Sequence, residues 1–284
     1  MSFQEPLLSA NLSVDYRNKG GVLRDISVRI ERREILGLVG QSGSGKSTLA
    51  LALMGLLSTK GGDVRGEVMY RGRDILKSSE KELRAIRGKE ISIVLQSPLA
   101  ALNPALSIGA QLMEAWKAHE RGNDARGSES IQAALTNVSL PHDKEFLRRR
   151  ASQLSVGQGQ RVCIAMAVLH RPALLLADEA TSALDPITQS EILNLFARLN
   201  REMGTAVLYI SHDLLSVAAL CHRVCILHEG QIVESGTPDA IFNSPQHEYT
   251  RRLVAALPST PLRKSSHTNE TRDAENRLLE VTPY

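Results

Sequence analysis

Short, nearly unbroken apolar runs recur along this chain, and polar or glycine-rich residues follow each one. Ile35–Val39, Ile91–Leu95, Ala173–Ala177 and Thr205–Ile210 are runs of this kind. They are too short for helices and lack the alternation of a half-exposed strand, so they read as strands buried on both faces. Upstream, Leu12, Val14, Tyr16, Leu23, Ile26, Val28 and Ile30 alternate with polar positions. That pattern predicts antiparallel strands joined by a turn at Gly20-Gly21, with Glu31–Glu34 as a polar turn into the next strand. Gly61-Gly62 breaks the chain. Glu67–Tyr70 with the turn Arg71-Gly72-Arg73 predicts a short hairpin, and Val224–Leu227, Glu229-Gly230 and Gln231–Glu234 predict another.

Helices are expected after Thr48, over Lys81–Arg87, and over Ala110–His119, Glu129–Val138 and Asp143–Arg150, with Arg121–Ser128 a polar connection. Others follow from Leu154 to about His170, from Pro186 to about Met203, over Leu214–Cys221, from Pro238 to Asn243, and over Tyr249–Leu257. The expected fold is α/β: a phosphate-loop core of the RecA-like kind, an antiparallel β subdomain, and a helical insertion over about residues 99–165. One domain spans 6–257. Residues 258–284, polar and mixed in charge, read as a flexible tail.

The first buried run leads into Gly40-Gln41-Ser42-Gly43-Ser44-Gly45-Lys46-Ser47-Thr48. This fits a phosphate-binding loop, G-x-x-x-x-G-K-[ST], in the strand–loop–helix setting the motif needs. Glycines let the backbone turn tightly and present N–H groups to a phosphate, and the helix start adds partial positive charge. Lys46 suits the β- and γ-phosphates and the Ser47 hydroxyl suits Mg²⁺.

Three other strand ends carry polar groups, at Gln96, at Asp178-Glu179 and at His212. The carboxyl edge of a parallel sheet is where α/β proteins bind ligands. One carboxylate of the pair suits the Mg²⁺ shell and the next the orientation of water. Each residue also has a plain structural reading: Gln96 in a loop that the following Ser97-Pro98 signals, the acidic pair near a helix start, His212 as a packing histidine. Leu154-Ser155-Val156-Gly157-Gln158 opens a helix, where a serine is either an N-cap or part of an anion site. Tyr16 is either a half-buried strand residue or a ring that stacks on a purine.

Composition narrows the function. With 42% apolar residues the chain has ample material for a core, and a net charge of +3 with 4% aromatics disfavours a nucleic-acid surface. The three cysteines make no disulfide framework. Cys221, His222, Cys225 and His228 are spaced too tightly across a helix end and a strand for a metal site. No signal sequence or membrane-length apolar run is visible, so the cytosol is the expected compartment and any channel belongs to another chain.

Taken in order, Tyr16, Gly40–Thr48, Gln96, Leu154–Gln158, Asp178-Glu179, Ser182–Asp185 and His212 resemble the nucleotide-binding subunit of an ABC transporter, over roughly residues 6–257. The resemblance implies ATP and Mg²⁺ as cofactors and ATP hydrolysis as the activity. Tyr16 would stack on adenine. Gly40, Gln41, Ser42, Gly43, Ser44, Gly45, Lys46, Ser47 and Thr48 would be the Walker A loop. Gln96 would sense Mg²⁺, Asp178 would hold it with Ser47, and Glu179 would be the catalytic carboxylate. His212 would meet the γ-phosphate. Ser155, Gly157 and Gln158, within Leu154–Gln158, would cover the ATP held by a second subunit in a head-to-tail dimer, and Asp185, which closes the D-loop match Ser182–Asp185, would also be a nucleotide-binding residue. Gln96-Ser97-Pro98, Leu102-Asn103-Pro104, Gly230–Gly236 and His247-Glu248-Tyr249-Thr250 narrow the resemblance to the oligopeptide/dipeptide/nickel importer ATPases. That implies a place on the cytoplasmic face of the inner membrane, beneath membrane-spanning permease subunits and served by an extracytoplasmic binding protein. A non-transport ABC ATPase would carry paired cassettes or a long coiled coil. A phosphate-loop kinase or GTPase would leave Leu154–Gln158 and His212 unexplained.

The chain departs from the family pattern at four places. Val156 and Gly159 stand where the signature usually has Gly and a longer residue, Ala180 replaces a Pro, and Arg33 replaces a turn glycine. The bulk of Val156 is expected to weaken the site this signature completes. The tail lacks cysteines, so no iron–sulfur site is expected.

Overall fold

A computed structural model describes residues 5–16, 19–57 and 61–257. The expected tail, 258–284, lies outside the described residues.

The chain opens with β1 (Leu8–Tyr16) and β2 (Lys19–Ile30), followed by β3 (Ile35–Val39) and α1 (Lys46–Leu53). Next come β4 (Gly62–Tyr70), β5 (Arg73–Asp74), α2 (Glu80–Ile86) and β6 (Ile91–Val94). A helical stretch holds α3 (Pro98–Ala101), α4 (Ile108–Lys117), α5 (Asp124–Asn137), α6 (Lys144–Arg148) and α7 (Val156–Val168). Then follow β7 (Leu174–Asp178), α8 (Pro186–Met203), β8 (Ala206–Ser211), α9 (Leu214–Leu220), β9 (Arg223–His228), β10 (Gln231–Gly236), α10 (Pro238–Asn243) and α11 (Glu248–Ala255).

Two sheets form. One is antiparallel, in the order β2-β1-β4-β5. The other has six strands, β10-β9-β3-β8-β7-β6, parallel except for edge strand β10. The apolar runs are unbroken because both faces of this second sheet are covered. Along β3, Ile35 and Val39 join a core shared with the helical stretch, while Leu36 and Leu38 join a second core with α1 and the antiparallel sheet. β8 divides the same way, Val207 and Tyr209 against Ala206, Leu208 and Ile210. The helices between β6 and β7 bury Leu112, Trp116, Ile131, Leu135 and Phe146 against the first core.

Several boundaries differ from expectation. Gly20-Gly21 is not the turn between the first strands. Both glycines lie inside β2, which pairs Tyr16 with Lys19, and the register slips near them. Leu95 is not part of the buried strand: β6 stops at Val94 and Leu95 is 46% exposed. α5 begins at Asp124, inside the stretch read as a connection, because Asn123 caps it by accepting the Arg126 N–H. Ser97-Pro98, read as a loop, starts the short α3 with Pro at its first turn.

The turn into β3 closes with Glu34 N–H donating to the Glu31 carbonyl at 3.2 Å, and Arg33 sits in it at φ 61°. A left-handed conformation strains any residue with a Cβ, by about 1 kcal/mol. Arg33→Gly is therefore expected to stabilise the chain by about 1 kcal/mol, measured as a higher midpoint in urea at an unchanged slope.

Candidate functional site

The site is built by strand register. Val39 pairs with Ser211, Ile210 with Asp178, and Ala177 with Val94. Four adjacent parallel strands, β3, β8, β7 and β6, thus end nearly level, and the residues that follow meet at the carboxyl ends of the sheet: Gly40, His212, Glu179 and Gln96.

The loop after β3 is held tightly. A Cβ on Gly40 would lie 2.3 Å from the Leu227 carbonyl, and one on Gly45 would lie 2.6 Å from Leu23 Cδ2, with Gly45 at φ 108°. Only glycine fits at either place. Gly45 ends the loop as the N-cap of α1, and Lys46 is the helix's first residue. The Lys46 side chain is 5% exposed. Its ammonium donates to the Gly40 carbonyl at 2.8 Å and the Gln41 carbonyl at 3.0 Å, and lies 3.6 Å from Glu179 Oε1.

Glu179 is the hub. Gln96 Nε2 donates to its Oε2 at 3.1 Å, and His212 Nδ1 lies 3.5 Å from that oxygen. The Glu179 backbone is left-handed, at φ 48°. Its N–H donates to the Ile210 carbonyl, and its own carbonyl accepts from the Ser182 N–H and hydroxyl. These bonds fix a tight turn that swings the carboxylate toward Lys46, at the cost of a conformation glycine would adopt freely.

Asp178 ends β7 and is buried. Burial raises its carboxyl above the usual carboxylate range and the Glu179 charge adds to this, while a hydrogen bond from Ser47 and the charge of Lys46 oppose it. Its Oδ1 is buried without a hydrogen-bond partner. An orphan carboxylate oxygen beside a serine hydroxyl fits a hard cation that takes few protein ligands and finds the rest on phosphate and water. Among the described residues no group of three or more His, Cys, Asp or Glu forms a dedicated metal cage.

A cavity of about 480 Å³ opens over these strand ends, lined by Tyr16, Val22, Ser42, Gly43, Gly45, Lys46, Ser47, Thr48, Gln96 and Glu179. Tyr16 therefore faces the same space as the phosphate loop. Val22 went unnoticed in the sequence, since it follows the Gly20-Gly21 read there as a turn and falls outside the set of alternating apolar positions that begins again at Leu23. Also unremarked was Tyr209, whose buried hydroxyl shares a hydrogen bond with Thr181 at 2.8 Å and donates to Ser216 at 3.3 Å. It ties the turn after Glu179 to the helix after His212.

Ser155, Gly157, Gln158 and Asp185 do not line this cavity. Ser155 and Gln158 form a reciprocal cap on α7. Asp185 caps α8, accepting from the backbone of Ile187 and Thr188 and from the Thr188 hydroxyl, which holds its carboxyl below the usual range. The two helix starts touch: a Cβ on Gly157 would lie 2.9 Å from Thr188 Cγ2. Val156 is exposed beside them. Gly159 also has a local reason, because a Cβ there would lie 2.9 Å from Leu99 Cδ2 on α3. At the close-spaced cysteines and histidines after α9, Cys221 and Cys225 are buried, and His222 Nδ1 accepts the Ile35 N–H at 3.0 Å.

Residues 23–182 match the family model described as ABC transporter. The chain belongs to the ABC transporter family. This ABC cassette is 40% identical over 250 residues to the dipeptide transport ATP-binding protein DppD of Escherichia coli (strain K12), covering 87% of this chain and 76% of DppD. It is 38% identical over 264 residues to the glutathione import ATP-binding protein GsiA of Salmonella choleraesuis (strain SC-B67). That match covers 90% of this chain but 42% of GsiA, so the cassette spans about two fifths of that relative's length. Among solved structures it is similar to cbiO1 from Clostridium perfringens, part of the ABC transporter complex cbiONQ, with TM-score 0.74, 27% identity, and 90% of this chain and 97% of that one covered. It is also similar to the ATP-binding cassette MJ0796 in a dimeric post-hydrolysis state bound to ADP and Pi, with TM-score 0.70, 26% identity, and 81% and 98% covered.

Proposed function

We propose that this chain is the ATP-hydrolysing subunit of an importer for peptides or peptide-like solutes. It pairs head to tail with a second copy or a sibling cassette beneath two membrane-spanning permease subunits. The observation that carries the reading is the meeting of Lys46, Glu179, Gln96 and His212 at the carboxyl ends of the sheet, next to a cavity that Tyr16 also lines.

In this reading Tyr16 stacks on adenine, and the loop N–H groups with Lys46 take the phosphates. Ser47, Asp178 and Gln96 would hold Mg²⁺, which neutralises phosphate charge when bound. Water attacks the γ-phosphorus in line. The bond from that phosphorus to the bridging oxygen breaks, and its electron pair leaves with ADP. Glu179 accepts the proton that water loses, and His212 steadies the γ-phosphate. Ser155, Gly157, Gln158 and Asp185 lie outside their own chain's cavity, which suits a role in the partner's site. Val156, at the first position of α7, brings bulk to that partner site and weakens it.

Among the described residues no helix is long and apolar enough to cross a membrane. Membrane attachment in this reading comes through the permease. A groove of about 270 Å³ between β6, α3, α4 and α7, lined by Ile93, Leu95, Ala101, Ala115, Cys163 and Met166, is an apolar seat for it. Leu95→Glu is expected to release the chain from membranes that contain the permease, while its ATP affinity stays within about twofold. Retention on those membranes would argue against this seat.

The decisive test is reconstitution with the permease subunits and binding protein that co-purify with it. ATP turnover should rise when the binding protein carries a di- or oligopeptide. Stimulation by a non-peptide solute alone would overturn the peptide assignment, and no turnover under any loading would overturn the importer reading.

A further inference from the structure

The phosphate loop has a prop that strand order does not supply. Tyr249, in the first turn of α11, is 4% exposed. Its hydroxyl accepts a hydrogen bond from the Gln41 N–H at 3.3 Å, and its ring stacks on His228 with centroids 3.7 Å apart and planes 16° from parallel. His228 ends β9, the neighbour of β3. The start of α11 is itself pinned. Glu234 Oε1 accepts from the Gln246 N–H at 2.8 Å and Oε2 from the His247 N–H at 3.0 Å, while Tyr249 N–H donates to His247 Nδ1 at 3.2 Å.

What makes this more than an anchor is the peptide it reaches. Gly40 C=O and Gln41 N–H belong to one rigid, planar trans unit, so they point in opposite directions. Tyr249 takes the N–H at one end. The carbonyl at the other end accepts from Lys46 Nζ at 2.8 Å. Fixing one end of a rigid plane fixes the other, and with it the seat of the Lys46 ammonium.

We propose that Tyr249 is a positioning residue for the nucleotide site, acting through the Gly40–Gln41 peptide, so that α11, which follows the loop by some two hundred residues of chain, is part of the ATP-binding machinery. The inference rests on the reading that Gly40–Thr48 grips ATP. Tyr249 touches no nucleotide itself, and its influence passes through the backbone.

Tyr249→Phe in the full chain keeps the ring and the stack and deletes the hydroxyl. Its Kd for ATP with Mg²⁺, read by equilibrium dialysis, should rise about three- to tenfold. Its Tm without nucleotide should stay within about 2 °C of wild type. His228→Leu removes the stacked ring and leaves the hydroxyl, and should raise Kd in the same direction by less. Arg252→Ala, on the exposed side of α11, should leave Kd unchanged. A Tyr249→Phe protein with wild-type Kd, whether or not its Tm falls, would overturn the inference by showing that the tyrosine merely anchors α11. A wild-type chain that binds no ATP would overturn the reading of the loop itself, and this inference with it.

Discussion

Glu179→Gln is expected to lower ATP turnover by about 10²- to 10⁴-fold, the usual loss when a general base is removed. Nucleotide binding should not suffer. The amide is nearly isosteric, and its oxygen still accepts the Gln96 bond now made to Oε2 at 3.1 Å. It also removes a negative charge 3.6 Å from Lys46, which would otherwise compete with phosphate for the ammonium. The Kd for ATP should therefore hold or tighten while phosphate release collapses. Turnover within about threefold of wild type would place the water-activating group elsewhere.

Lys46→Ala should act on the other quantity. Charge-assisted hydrogen bonds are worth about 1.5–3 kcal/mol each, so losing the ammonium from two phosphates should weaken ATP binding by about 100-fold or more. It should also be felt without nucleotide, because the carbonyls of Gly40 and Gln41 lose their shared donor and Glu179 loses the ammonium 3.6 Å from its Oε1. Unfolding in urea reports that second effect separately from a binding titration. Lys46→Arg should not rescue binding: the slot is almost closed to solvent, and a planar fork does not replace a compact ammonium.

The phosphate loop and the polar strand ends were legible because local chemistry dictates them. A loop that must turn tightly and present N–H groups needs glycines, and a strand buried on both faces needs an unbroken apolar run. The level ends of β3, β8, β7 and β6 then bring Lys46, His212, Glu179 and Gln96 together. The errors fall where one residue type serves two ends. Gly20-Gly21 reads as a turn, but glycines also tolerate irregular pairing inside a strand, and here they lie within β2. Pro98 reads as a loop signal, but proline also suits the first turn of a helix. Leu95 extends an apolar run past the last paired residue and ends up at the groove rather than in the sheet. The left-handed Glu179 backbone leaves no mark in composition or period. Nor does the reach of Tyr249: a tyrosine in the first turn of an amphipathic helix reads as core, and its partner lies 208 positions earlier in the sequence.

The strand order also has a consequence during synthesis. β3 sits mid-sheet, yet both its neighbours, β8 and β9, belong to the last third of the described chain. While the ribosome is still making the helical stretch, β3 has two open edges and the lysine loop has no opposing carboxylate or histidine. Nascent chains paused before β8 should be the most prone to chaperone capture and to aggregation.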